Sequence, residues 1–273
     1  MNKREVLDIT GKFGLSPNKS LGQNFLVSND IRDKIMNAVN IDKNDSILEI
    51  GPGLGALTGI FIEKARFVTS VEIDSGMVRF LKQKYGKYQN FSLVHGDFLK
   101  TTIADKFTKI ISNLPYYCSS EILFNIAFDY DVENVFVMLQ KEMAERIISG
   151  AGEKNYGALS VTIGFYFEPK IEFNVSHEAF FPKPGVRSSF ISLKRKSNFD
   201  LDKDEINLFH RIVKSAFWGR RKTILKALTK SPHIDFNRDK VGTILSRAGI
   251  TPDTRGEDLS VYDYVNLVKQ FRG

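Results

Sequence analysis

The tetrapeptide Asn113-Leu114-Pro115-Tyr116, which closes the apolar run Lys109-Ile110-Ile111-Ser112, has the most specific chemistry in the chain. The side-chain oxygen of Asn113 and the main-chain carbonyl of Leu114 can accept hydrogen bonds from both N–H bonds of one amino group. Pro115 fixes φ at about −65° and removes a competing donor. Adenine N6 is an amine that needs such treatment. Its lone pair is delocalised into the ring, and it attacks only when its N–H bonds are held in the directions of a pyramidal nitrogen. Tyr116 adds a π-face for an extruded base, worth about 1 to 3 kcal/mol, comparable to the cost of unstacking that base. Asn113, Leu114 and Tyr116 are therefore the candidates for catalysis.

A second constellation lies upstream. Ser46-Ile47-Leu48-Glu49-Ile50 reads as a strand that runs into Gly51-Pro52-Gly53-Leu54-Gly55 and then into a helix. Glycines at that point let the backbone turn sharply and let a ligand approach closely. The spacing G-x-G-x-G departs from the dinucleotide fingerprint, and no Lys-Ser/Thr pair follows, so phosphate binding is not the best reading. Glu72, 21 residues after Gly51, ends the second strand, where a carboxylate can accept from both hydroxyls of a ribose. Asp97 follows the third strand and is placed to receive an adenine amine. Either acid alone reads as a strand-end residue or a helix cap. In strand order they outline an adenosine pocket along the carboxyl edge of a sheet, at its topological switch point.

The elements that must position these residues alternate along the first two thirds of the chain. Strands are expected at 46–50, 67–73, 91–94, 109–112 and 132–139, and helices at 56–64, 76–84, 120–128 and 141–149. That alternation predicts an α/β fold with a parallel, doubly wound sheet. A further helix behind the cap candidates Ser28 and Asn29 leads into the sheet. Beyond Lys196 the pattern is helical only, which predicts domains at 1–198 and 199–273.

Composition narrows the class. With 273 residues, 42% hydrophobic and 26% charged, the chain excludes intrinsic disorder as a description of the whole. No run of about 18 apolar residues occurs, and the first residues are charged, so neither a membrane span nor a secretion signal is expected. Cys118 is the single cysteine, and the four histidines are scattered, so no disulfide framework and no metal site are expected. The expected location is cytoplasmic. The net charge of +7 is clustered: Lys214, Arg220, Arg221, Lys222, Lys226 and Lys230 occur without an acid between them, as do Lys183, Arg187, Lys194, Arg195 and Lys196. Such clusters point to a polyanionic partner.

Several separate motifs resemble one family. They are Lys19-Ser20-Leu21-Gly22-Gln23-Asn24-Phe25-Leu26, the glycine loop with Glu72 and Asp97, Asn113-Leu114-Pro115-Tyr116, Phe180-Phe181-Pro182-Lys183-Pro184-Gly185-Val186-Arg187-Ser188, Ala216 to Leu225, and Arg255 to Ser260. Over nearly its whole length the chain is similar to the ribosomal RNA adenine N6,N6-dimethyltransferase family, on its bacterial small-subunit branch. The resemblance implies a Rossmann-like catalytic domain at 1–198 that binds S-adenosylmethionine, and a small all-helical RNA-binding domain at 199–273. It implies that Asn24 and Leu26 border the methionine part of the donor. Gly51, Glu72 and Asp97 fall at the other donor positions, and Asn113 is shared between donor and target base. Phe180 becomes the second stacking face, while its neighbour Phe181 fits a loop aromatic packed on the core. Lys183, Arg187, Arg220, Arg221 and Lys222 become contacts to RNA. The implied target is two adjacent adenosines in the 3′-terminal hairpin of small-subunit (16S) rRNA, within immature 30S particles, with a monomeric enzyme and no metal or membrane. Three other readings stay open: a large-subunit rRNA dimethyltransferase conferring antibiotic resistance, an N6-adenine DNA methyltransferase, and a ribosome-assembly factor with little turnover.

Overall fold

The strand expected at 46–50 forms with all five residues buried, as a strand covered on both faces must. The computed structural model describes residues 1–15, 22–197, 199–219 and 221–271. Their strands are β1 (Phe25–Leu26), β2 (Ser46–Ile50), β3 (Phe67–Glu72), β4 (Phe91–His95), β5 (Lys109–Asn113), β6 (Asn134–Gln140), β7 (Phe167–Val175), β8 (Phe180–Phe181) and β9 (Ser188–Arg195). The described strands form a seven-stranded sheet in the order β4-β3-β2-β5-β6-β9-β7 and a small β1-β8 pair. From β4 to β6 neighbouring strands are parallel. The order reverses between β2 and β5, and so creates the crevice expected at the carboxyl edge.

The expectation of a parallel sheet needs one correction. Strand β9 runs antiparallel to β6, from Asn134 opposite Lys194 to Gln140 opposite Ser188. Neither β7 nor β9 is among the strands expected from sequence. Strand β7 lies at the edge of the sheet, and there Glu168, Lys170, Glu172 and Asn174 alternate with apolar residues, so it never presents the continuous apolar run of a buried strand. Pro169 is tolerated for the same reason.

Three helix starts show how local chemistry places the site. Helix α1 (Lys3–Phe13), which the sequence reading did not anticipate, opens on a capping box between Asn2 and Glu5. Helix α2 (Asn29–Val39) is capped by Ser28, whose Oγ accepts from the Ile31 N–H, and it buries Ile35, Met36 and Val39. After β2 and the glycine loop comes α3 (Thr58–Lys64), and after β3 comes α4 (Ser75–Tyr85). Asp74 caps α4, with its Oδ1 accepting from Gly76 N at 2.8 Å and Met77 N at 3.1 Å. Helices α5 (Ser119–Asp129) and α6 (Lys141–Ile148) follow β5 and β6.

The chain divides into two compact units, Met1–Ala144 with Pro169–Arg195, and Glu145–Glu168 with Lys196–Gly273. A division at 198/199 leaves 145–168 in the first domain, whereas in the structure this stretch clusters with the C-terminal helices. Helix α7 (Ala158–Tyr166) explains why. It is apolar on almost every side, so it needs cover all round. Within the second unit Phe165 stacks on Phe209 of α8 (Lys203–Trp218), with ring centroids 4.2 Å apart, and the Tyr156 hydroxyl donates to the Leu259 carbonyl at 2.8 Å. The remaining helices of this unit are α9 (Ile224–Lys230), α10 (Arg238–Arg247) and α11 (Val261–Lys269). Among the described residues no helix is long and apolar enough to cross a membrane.

Candidate active site

Where β2 ends, Gly51, Gly53 and Gly55 have φ of 65°, 55° and 71°, in the left-handed region that glycine adopts without strain. A Cβ on Gly55 would lie 2.8 Å from the Tyr85 ring, whereas one on Gly51 meets nothing within 4 Å. Gly51 borders a cleft in the first unit, together with Asn24, Leu26, Glu72, Asn113, Leu114 and Tyr116. Seven residues from four separate stretches of the sequence, all expected to serve the site, thus line one space. Counting its solvent-filled mouth, the cleft holds about 1080 Å³ of empty volume.

Glu72 is 4% exposed at the end of β3. Its Oε2 accepts from the Gly53 N–H at 3.0 Å and its Oε1 from the Asp74 N–H at 2.9 Å, so the carboxylate is clamped between the glycine loop and the start of α4. Burial raises its pKa, and these N–H groups oppose the rise. Each oxygen retains a second lone pair for a ligand hydroxyl. Ile73, beside it, also lines the cleft and is 44% exposed. A clamped carboxylate, a glycine turn open to the cleft and an exposed apolar side chain together fit an adenosyl group.

The Asn113 amide is turned by a partner the sequence did not reveal. Its Nδ2 donates to the main-chain carbonyl of Asn24 at 3.2 Å, while the Asn24 side chain donates to the Gly22 carbonyl at 2.9 Å. With Nδ2 engaged, Oδ1 is available as an acceptor. The Leu114 N–H donates to the Met138 carbonyl at 3.2 Å, which extends the β5-β6 ladder by one residue, and Pro115 follows with φ −65° and ψ 132°. The Tyr116 hydroxyl lies 2.7 Å from Ser188 Oγ, so the ring is tethered at its far end to β9. Burial raises the Tyr116 pKa.

The profile of the family described as ribosomal RNA adenine dimethylase matches residues 14–272. The chain belongs to this family. It is 37% identical over 271 residues to the ribosomal RNA small subunit methyltransferase A of Alkaliphilus metalliredigens, covering 96% of this chain and 94% of the relative. The protein of the same name from Fusobacterium nucleatum is 37% identical over 261 residues, covering 93% and 97%. Among solved structures, a dimethyladenosine transferase from Plasmodium falciparum superposes with a TM-score of 0.80 at 27% identity, covering 91% of this chain and 97% of that one. The 23S rRNA methyltransferase ErmE, at 24% identity and a TM-score of 0.70, covers 92% and 100% and shares the fold.

Several residues of this adenine dimethylase family member lie elsewhere than the sequence suggests. Phe180 is 2% exposed and packs in the core, paired with Leu26 across β1-β8, and it does not line the cleft. The structure thus places this ring in the core beside the cleft residue Leu26, and its role as a second stacking face stays a proposal. Phe181 is half-buried, with Lys3 Nζ 5.0 Å from its ring centroid. Asp97 is not among the residues that line this cleft, although its charge acts on Tyr117, which does. Its Oδ1 accepts from the Leu99 N–H at 3.1 Å, capping a short turn, and its Oδ2 lies 3.6 Å from Lys100.

The basic clusters divide as well. Lys183 is paired with Glu178, five residues outside the acid-free window, and Arg195 donates to the carbonyls of Ala127, Tyr130 and Val132. Lys196 Nζ donates to the Gly164 carbonyl at 2.7 Å. Arg187 and Arg221 are exposed and Lys222 is half-buried. Arg220, together with Lys19, Ser20 and Leu21 of the N-terminal motif, lies outside the described residues.

Glu49 is a cleft residue that the sequence reading passed over, because it sits in the middle of an apolar strand. Its Oε2 accepts from Thr58 Oγ1 and Ser70 Oγ, both at 2.8 Å. Burial pushes its carboxyl from 4.5 to about 7, helped by the charge of Glu72 and opposed by the two hydroxyls. The folded state therefore holds this proton more tightly than the unfolded chain does. Its stabilising contribution is complete below about pH 4.5 and is lost as pH rises to about 7. Glu49→Gln keeps an acceptor for both hydroxyls and removes the titration. It is expected to flatten the decline of unfolding free energy across that window by about 3 kcal/mol. Denaturant melts at stepped pH check this, and an unchanged decline in the variant refutes it.

Proposed function

We infer that this protein transfers methyl groups from S-adenosylmethionine to N6 of two adjacent adenosines in the 3′-terminal hairpin of small-subunit (16S) rRNA, giving N6,N6-dimethyladenosine during ribosome biogenesis. The observation that supports this most is Asn113, whose amide is held by the Asn24 carbonyl so that its oxygen is left for a substrate amine in the cleft that Glu72 and Gly51 border. When bound, S-adenosylmethionine supplies an electrophilic methyl group on a sulfonium sulfur. Glu72 would hold the ribose hydroxyls, Gly51 gives the ligand close approach to the backbone, and Asn24 and Leu26 border the remainder.

The chain's own contribution is orientation and electrostatics. Asn113 Oδ1 and the Leu114 carbonyl accept the two N6 hydrogens and favour the pyramidal nitrogen that can attack, while both dipoles point their negative ends at the positive charge that develops there. Tyr116 holds the extruded base. Its tether to Ser188 keeps the ring from following the base as it leaves. The substrate reading extends to RNA within immature 30S particles, to a monomeric enzyme and to action in the cytoplasm.

Incubation with labelled donor and, in parallel, immature small subunits, free large-subunit RNA or DNA tests the function. Label is expected in the small-subunit RNA, as dimethyladenosine. Labelling confined to large-subunit RNA or DNA, or binding to small subunits without turnover, overturns it. Arg220, Arg221 and Lys222 would bind phosphates in this reading. Replacing all three by alanine is expected to reduce the slope of log affinity against log salt by about 0.7 to 0.9 for each phosphate that is no longer neutralised. A titration of RNA binding across salt concentrations checks this, and an unchanged slope removes these residues from the RNA interface.

A further inference from the structure

The second unit ends α8 with a large aromatic side chain that its core does not use. Trp218, the chain's single tryptophan, is 48% exposed, while Phe209 and Tyr264 of the same unit are completely buried. Lys222 Nζ lies 4.0 Å from the centroid of the Trp218 ring. The backbone builds this arrangement. The Lys222 N–H donates to the Gly219 carbonyl at 2.7 Å, closing a tight turn. The lysine stem crosses directly over Gly219, where a Cβ would lie 2.7 Å from its Cδ and 3.1 Å from its Cγ. Any larger residue at 219 would displace the stem and, with it, the ammonium group.

The surroundings are cationic. Lys214 is exposed four residues before Trp218 and so on the same face of α8, and Arg221 is exposed beside the turn. Among the described residues none of Lys214, Arg221 and Lys222 has a carboxylate within ion-pair distance. An exposed indole ringed by apolar residues would suit a protein partner. One flanked by unpaired cations suits an aromatic ligand that carries its own negative charge.

We propose that Trp218 is a stacking platform for an unpaired nucleotide of the RNA this protein modifies, with Lys222 and Lys214 taking the adjoining phosphates. The inference rests on the RNA-methylation reading above. It adds a base-binding position remote in sequence from the tetrapeptide at 113–116, and one that any base satisfies, since every base has a π-face. A fully paired duplex keeps its bases stacked on one another and offers none to the indole.

Two readouts on the full-length protein keep the inference separate from the function. Anisotropy of a labelled RNA reports binding, and Trp218 emission reports stacking. An RNA hairpin with an unpaired loop is expected to quench that emission, and a blunt duplex of the same composition to bind without quenching it. Trp218→Ala is expected to weaken hairpin binding by about fivefold or more and to leave duplex binding unchanged, while Trp218→Phe retains most of the hairpin affinity. Equal hairpin affinity in wild type and Trp218→Ala, with emission unmoved, overturns the platform and leaves the RNA reading intact. Quenching by a small-subunit protein but not by RNA also overturns it. Failure of the wild-type protein to bind either RNA overturns the RNA reading, and this inference with it.

Discussion

Asn113→Ala is expected to lower the single-turnover rate of methyl transfer, at saturating donor, by about 10² to 10³ while leaving RNA affinity close to wild type, by analogy with the loss of one preorganised oxyanion-hole donor. The reasoning is geometric. Asn113 accepts from an amine in the transition state, and its own Nδ2 is already engaged with the Asn24 carbonyl, so truncation removes an acceptor aligned before the reaction begins. Alanine leaves the Asn24 carbonyl beside a cleft that water can enter, which limits the cost to stability. Asn113→Asp separates the two contributions, because it keeps an acceptor but loses the donor to Asn24. Rapid-quench measurement with labelled donor gives the rate, and turnover within about threefold of wild type would remove Asn113 from the reaction.

Glu72→Ala is expected to act on affinity instead. Two charge-assisted hydrogen bonds to ribose hydroxyls, each worth about 1.5 to 3 kcal/mol, would be lost, raising the dissociation constant for the donor by about 10²-fold or more. The same change leaves the Gly53 and Asp74 N–H groups without their acceptor, so the glycine loop loses the clamp that joins it to α4. A lower melting temperature should accompany the loss of affinity. Calorimetric titration with donor decides the matter. If affinity is unchanged in a variant that remains folded, the ribose is held elsewhere and the adenosine pocket must be redrawn.

What could be read from the chain was the chemistry that spans only a few residues. A strand, a glycine turn and a helix fix where Gly51 lies, and one further β-α-β step fixes Glu72 at the neighbouring strand end, so spacing alone predicts their convergence. Asn113, Leu114 and Pro115 are consecutive. The hydrogen bond that aims Asn113 reaches back 89 residues, and the tether of Tyr116 reaches forward 72, and no local pattern encodes either. Phe180 illustrates a different limit. A motif gives residue identities, but in a two-residue strand the phase of alternation decides which ring faces the core, and that phase is set by pairing with β1. Charge counting did not reveal the partners of Lys183 and Arg195, which lie beyond the window, a nearby carboxylate in one case and three distant carbonyls in the other. The division at 198/199 followed the end of the strand signal, which is blind to a helix that belongs with a core completed later in the chain.

That helix has a consequence for synthesis. Most of the apolar core that α7 joins within its unit is translated after it, from Phe199 and Phe209 through Tyr264 to Val268. At about 5 to 20 residues per second, the ribosome takes roughly 5 to 20 s to supply those partners. Throughout that interval a greasy nine-residue segment waits with most of its apolar partners still to be made, a natural stretch for a chaperone to grasp. An expression plasmid truncated at codon 198 would make that transient exposure permanent, and the shortened product should accumulate in inclusion bodies.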